Sequence, residues 1–174
     1  MGSTAPTMPT DSERAEHIEA LADLVEDIRT CMFTTIDTDG APWSRPMATQ
    51  KNRFDGTLWF FTRKDSEKID HIERDKRVGA AFARPGDQEY VTMAGTASLV
   101  EDRATMEKLW SPLNEVWFPE GLDDPNLCLL RMDVDRAEYW DSPSSFGVYA
   151  LAFAKSKLTG EPPKDLGDNV QVDF

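Results

Sequence analysis

Residues 31–50 read CMFTTIDTDGAPWSRPMATQ, and the fold turns on this stretch. Residues 31–36 read as a strand, Asp37-Thr38-Asp39-Gly40 as its turn, and residues 43–50 as a second strand returning beside it. Asp55-Gly56 marks the next turn, before a third strand at 57–62, TLWFFT. Short strands joined by tight turns make an antiparallel meander, whereas a parallel nucleotide-binding sheet alternates strands with helices. Neither a GxGxxG nor a Walker sequence occurs.

Outward from this centre, residues 66–75 predict a short helix with Ile69 and Ile72 inward. Strands follow at 78–83 and 90–100, separated by the turn Arg84-Pro85-Gly86-Asp87. Residues 104–113 predict a helix capped by Asp102, and Trp117-Phe118-Pro119-Glu120-Gly121 a loop whose aromatics need a partner surface. Strands at 127–134 and 137–140 complete the sheet. Upstream, Asp11 or Ser12 can cap a helix whose Ile18, Leu21, Leu24 or Val25, and Ile28 recur at spacings of three and four, with Glu19, Asp23, Glu26 and Asp27 outward. The expected architecture is mainly β, an antiparallel barrel of about six strands with an N-terminal and peripheral helices. Residues 1–10 are expected to form a disordered leader, 11–146 the single domain, and 147–174, with Pro162-Pro163, a mobile C-terminal extension.

Of the 174 residues, 19 are Lys or Arg and 32 are Asp or Glu, for a net charge of −13. That balance repels phosphate backbones and anionic lipid surfaces, so neither nucleic acid nor a membrane is an expected partner. No run of about 18 apolar residues could span a bilayer, and no signal-peptide pattern opens the chain; the expected location is the cytoplasm. Cys31 and Cys128 are isolated, which predicts buried reduced thiols. His17 and His71, the two histidines, exclude a histidine-rich metal site and are expected on helix surfaces.

An anionic ligand needs a local basic patch, and Arg45, Lys51, Arg53, Arg63, Lys64 and Lys68 supply one around the first strands. Trp59-Phe60-Phe61-Thr62 runs into Ser66-Glu67-Lys68, so an aromatic strand meets a helix start that bears a hydroxyl and a cation. Helix N-terminal amides are unpaired and suit a phosphate, with the flat aromatics suited to a ring beside it. The same residues also serve a plain buried strand and an ordinary N-cap. Period two sets Arg45, Met47 and Thr49 on one face of their strand, and Ser44, Pro46, Ala48 and Gln50 on the other. Arg45 is read equally as an anion ligand or as a surface ion pair.

In order along the chain stand an opening helix, CMFTTID-DG, RPMATQ, LWFFT, SEKIDHI, VGAAFA, YVTMAGTASLVED, KLW, a WFP-G loop and AEYWDSP. In this ordered set, over residues 15–145, the chain resembles the pyridoxamine 5'-phosphate oxidase-related flavin proteins, most closely the general stress protein 26 branch. The resemblance implies a split barrel of antiparallel strands and a homodimer with two equivalent FMN sites at the subunit interface. It implies that Arg45 and Lys68 hold the FMN phosphate with the Ser66 hydroxyl, and that Pro46, Met47 and Ala48 lie along the isoalloxazine. Phe61 and Thr62 would supply backbone contacts, while Trp110 and Trp140 would close the site from the other subunit. Tyr90 stands where the oxidase has a glutamine.

One departure is decisive for the substrate. The oxidase follows its tryptophan with Arg-x-His-Asp-Arg, which grips the vitamin phosphate, whereas Trp140 is followed by Asp141-Ser142-Pro143-Ser144-Ser145-Phe146-Gly147. Lost charge-assisted bonds of about 1.5–3 kcal/mol each argue against pyridoxine phosphate oxidation. The expectation is an FMN-binding flavoprotein, with FAD possible, that acts as an oxidoreductase on a small-molecule redox substrate. The alternatives are a non-catalytic flavin-binding stress or sensor protein, and a split barrel holding another cofactor such as a deazaflavin of the F420 type.

Overall fold

The computed structural model describes residues 11–141 and 168–174. Helix α1 (Asp11–Ile28) leads into strands β1 (Thr30–Ile36), β2 (Pro42–Ala48) and β3 (Thr57–Arg63), then helix α2 (Glu67–Arg74). Strands β4 (Arg77–Arg84) and β5 (Glu89–Val100) precede helix α3 (Arg103–Leu109) and two 3-10 turns, Pro112–Val116 and Gly121–Asp123. Strands β6 (Leu127–Asp141) and β7 (Asp168–Asp173) complete the order.

All pairings are antiparallel and run β2-β1-β4-β5-β6-β3, with β7 also on β6. The result is the expected mainly β split barrel, but with seven strands in a sheet that does not close. The first hairpin forms as read. Asp37 Oδ1 accepts from the N–H groups of Asp39 and Ala41, both at 2.9 Å, and Gly40 takes φ +85°, a conformation disfavoured for residues with a Cβ.

Two boundaries differ from the sequence expectation. The separate strands expected at 127–134 and 137–140 are one 15-residue strand, β6. The polar Asp133-Val134-Asp135 that reads as a break is absorbed as a bulge: Ala94 faces Arg136 and Gly95 faces Val134, so the ladder to β5 continues past Asp135. The helix expected over 104–113 ends at Leu109, because Pro112 has no N–H to donate and opens a 3-10 turn instead. The leader expected over 1–10 and residues 147–167 of the expected tail lie outside the described residues. The final residues, by contrast, pair as β7 with Arg136–Asp141, and Val172 is buried.

The main core lies between α1 and the sheet. Leu21, Phe33, Phe60, Phe82, Leu130 and Met132 are all sealed from solvent, and the Phe33 and Phe60 rings meet edge-on at 5.1 Å. Alternation along β3 sends Phe60 into this core and Phe61 to the opposite face. There Phe61 joins Met106, Leu109, Phe118 and Leu129 in a second cluster under α3. The β3 strand is thus buried on both sides, which explains its unbroken apolar run.

Gly95 sits where β5 presses on the β6 bulge, and a Cβ there would meet the Asp133 carbonyl oxygen at 2.0 Å, a backbone atom that cannot swing aside. Gly95→Ala is therefore expected to lower the unfolding free energy by about 2–3 kcal/mol or more. Gly86→Ala, in an open turn, should stay within about 0.5 kcal/mol in the same urea titration.

Candidate functional site

Strands β2 and β3 are the two ends of the strand path, and their edges do not zip together. One backbone bond, from Gln50 N–H to the Trp59 carbonyl at 2.9 Å, bridges them just past the end of β2. The remaining gap is a cleft of about 450 Å³, within the range of small-molecule sites. Its walls are β2 at Arg45, Pro46, Met47 and Ala48, and β3 at Phe61, Thr62 and Arg63. The start of α2 adds Ser66 and Lys68, and the turn after α3 adds Asn114, Trp117 and Phe118. Eight of the ten residues predicted from sequence thus converge on one cavity: Arg45, Pro46, Met47, Ala48, Phe61, Thr62, Ser66 and Lys68.

The expected basic patch resolves into paired and unpaired charges. Arg53 bridges Glu19, Asp23 and Glu26 along the outer face of α1, at 2.8 Å to Asp23 and 3.3 Å to Glu26. Arg63 pairs with Asp65 at 3.1 Å and Asp124 at 3.4 Å, and Lys64 with Glu101 at 2.6 Å. Arg45 and Lys68 make no ion pair among the described residues, although both are part-buried. Lys68 Nζ donates to Thr62 Oγ1 and Ser66 Oγ, each at 3.0 Å. Arg45 Nη1 donates to Thr35 Oγ1 at 2.7 Å, while Nη2 is buried without a hydrogen-bond partner.

Burial lowers the Arg45 guanidinium below its ordinary value, opposed by the negative charge of Glu67. The Lys68 ammonium is lowered by burial first and by the charge of Arg45 second. Two cations that disfavour each other, one with a donor to spare, form a site that an anion would stabilise. Ser66 occupies the N-cap position of α2 in extended backbone, as read, but its side chain does not cap the helix. Its hydroxyl donates instead to the Arg63 carbonyl at 2.7 Å, which leaves the first turn of α2 free of a side-chain cap.

Trp110 and Trp140 do not line the cleft of their own chain. Trp110 closes α3 and lies edge-on to Phe61 at 5.1 Å, behind the cleft wall. Trp140 sits on β6 opposite Tyr90 of β5. Cys31 and Cys128 are buried free thiols, and burial pushes them up to about 12 and about 11. His17, part-buried on α1, meets the Tyr139 hydroxyl at 3.0 Å. His71 does not lie on a helix surface as expected: it is 2% exposed, turned inward with Ile69 and Ile72, and 2.9 Å from Thr35 Oγ1.

Sequence reasoning missed Thr35, His71 and the clasp in which Asn114 Nδ2 donates to Gln50 Oε1 at 3.1 Å. A signal for the first pair existed: Thr35 falls on the inward face of β1 in phase with Cys31 and Phe33, and His71 adjoins Ile72 on the buried face of α2. The clasp had none, because it joins positions 64 residues apart.

The sequence model of the family described as "Pyridoxamine 5'-phosphate oxidase like" matches residues 16–164. Protein bli-3 of Neurospora crassa is 26% identical over 165 residues, covering 89% of this chain and 79% of that protein. General stress protein 26 of Bacillus subtilis is 33% identical over 98 residues, 54% of this chain and 67% of that one. Among solved structures, the general stress FMN/FAD binding protein from Xanthomonas citri is 33% identical with a TM-score of 0.63, over 79% of this chain and 94% of that chain.

The lowered Lys68 carries a sign for stability. Its value is below the ordinary 10.5 in the folded state, so the unfolded chain holds that proton more readily. The penalty is full below the folded value and disappears as pH rises through it towards 10.5. Without an anion present, Lys68→Met is expected to be more stable than the wild type at about pH 7, with the difference narrowing towards about pH 10. Urea midpoints across that range measure it.

Proposed function

Because the chain belongs to the pyridoxamine 5'-phosphate oxidase-like family, we propose that the cleft between β2 and β3 binds a flavin, FMN in the first place, and that the protein is a homodimeric flavin-dependent oxidoreductase. The observation that carries this reading is the pair of cations lining the cleft, Arg45 and Lys68, which have no ion pair among the described residues, together with the buried, partnerless Arg45 Nη2. A phosphomonoester supplies the missing acceptors and offsets both charges. Arg45 and Lys68 would hold it, joined by the Ser66 hydroxyl once that turns from the Arg63 carbonyl, next to the uncapped first turn of α2. Pro46, Met47 and Ala48 would border the ring system, with Phe61 and Thr62 at its edge.

A bound flavin supplies hydride- and electron-accepting chemistry. The chain's own part is to bind and orient it, because none of the described residues lining the cleft is a carboxylate, a histidine or a thiol. That absence favours redox chemistry on a small molecule over acid–base hydrolysis. It equally supports a second reading, a stress protein that holds flavin without turnover. Anaerobic reduction of the bound flavin by NADH or NADPH, followed by reoxidation with candidate acceptors, separates the two. FAD is the alternative ligand, since the cleft opens to solvent and the relative from Xanthomonas citri is described as FMN/FAD binding.

Titration of flavin fluorescence with FMN tests the phosphate assignment. Arg45→Ala and Lys68→Ala are each expected to weaken FMN roughly ten- to a hundred-fold, the equivalent of one charge-assisted bond. Unchanged FMN affinity in both would sink the assignment. The homodimer reading draws on Leu113, Val116 and Trp117, exposed apolar residues of the turn beside the cleft, which a second copy would cover. Val116→Asp is expected to shift sedimentation from dimer towards monomer and to reduce flavin retention; a wild type that sediments as a monomer would refute the homodimer.

A further inference from the structure

Arg45 is held from behind. The oxygen of Thr35 that accepts from Arg45 Nη1 at 2.7 Å also lies 2.9 Å from His71 Nδ1. Thr35, on β1, is sealed from solvent, and His71, on α2, is 2% exposed. A guanidinium has donors only, so the Thr35 oxygen accepts from it, and of the two partners of that oxygen only His71 Nδ1 can take the hydroxyl proton. We assign the Nε2–H tautomer to His71 from this bond, which leaves Nδ1 to accept, and Nε2 lies 3.8 Å from Glu67 Oε1. The chain of bonds therefore has one direction of donation, from Arg45 and Thr35 into the imidazole on α2.

Burying a hydroxyl and an imidazole under a sheet is unfavourable unless both are bonded, and an apolar pair would fill the same space. Neither residue lines the cleft, so neither reaches a ligand directly. Their effect passes through the guanidinium. Nη1 anchors the guanidinium to Thr35, and Nη2 is a buried donor without a partner.

We propose that Thr35 and His71 are positioning residues that lock the Arg45 guanidinium and reserve its Nη2 for the bound anion, and that they thereby set a preference for a phosphorylated over an unphosphorylated flavin. The proposal rests on the phosphate reading of Arg45 and Lys68 given above. The test compares FMN with riboflavin, which lacks the phosphate, as ligands of the full chain. Dissociation constants come from flavin fluorescence, and thermal unfolding checks that each variant folds.

The wild type should prefer FMN. Thr35→Val and His71→Leu should each lose about tenfold in FMN affinity with riboflavin affinity held within about twofold. His71→Asn, whose Oδ1 can accept where Nδ1 does, should keep the preference. The double variant Thr35→Val/His71→Leu should lose no more than either single one, because both interrupt the same chain of bonds. Variants that keep the wild-type ratio of FMN to riboflavin affinity, or weaken both flavins alike, would overturn the positioning role and leave the phosphate site standing. A wild type that binds riboflavin as tightly as FMN would overturn the phosphate reading and this inference with it. If Thr35→Val fails to fold, the contrast between His71→Leu and His71→Asn decides the matter.

Discussion

A strand has two edges, and β6 has both of its edges occupied. One edge carries β5 along its length; the other carries β3 at residues 127–133 and β7 at residues 136–141. The β3 strand is thereby placed at one end of the path and β2 at the other, with one backbone bond at Gln50–Trp59 between them. Backbone hydrogen bonds that would complete a barrel are missing along most of this seam, and the seam is where the cleft lies. The Gly95 bulge makes the arrangement possible, since it lets β5 follow β6 past Asp135 without a break.

Electrostatics then selects what the seam can hold. In a chain of net charge −13, most cations near the cleft have carboxylate partners close at hand. Arg53, Arg63 and Lys64 are used in this way, and exposed pairs of this kind add little to stability. Arg45 and Lys68 differ because they are partly desolvated, lack a carboxylate partner among the described residues and line the same cavity. Their mutual repulsion is tolerated by a fold whose core is secured elsewhere, by α1 against the sheet and by the aromatic cluster behind Phe61. Local strain of this kind at an otherwise well-packed site is characteristic of binding sites.

The legible and illegible parts of the fold divide by range. Asp37–Gly40 and the alternation in β2 act through neighbours in sequence, so the hairpin and the shared face of Arg45 and Met47 could be read directly. The eight residues that meet at the cleft came from the ordered set of family motifs. Local patterns made each of them compatible with the site but did not single it out. Arg53 looked like part of the same patch because ion pairing across 30 residues leaves no local trace. His71 looked like a surface histidine because its polarity outweighed its position beside Ile72, on a helix face that tertiary packing buries.

By itself the sequence determined the β1–β2 hairpin, the turns, the absence of a nucleotide-binding loop and the supply of cations near the first strands, but not the expected meander, since β3 pairs with β6 and not with β2. These follow from steric preferences and residue spacing over a few positions. Only the tertiary structure decided that β6 runs unbroken, that residues 168–173 return as β7, and that the seam opens between β2 and β3. It also decided which cations stay unpaired, and that a threonine and a histidine 36 residues apart stand behind Arg45. Those outcomes depend on which edges and charges are already taken by distant segments, a competition that no short stretch of sequence contains.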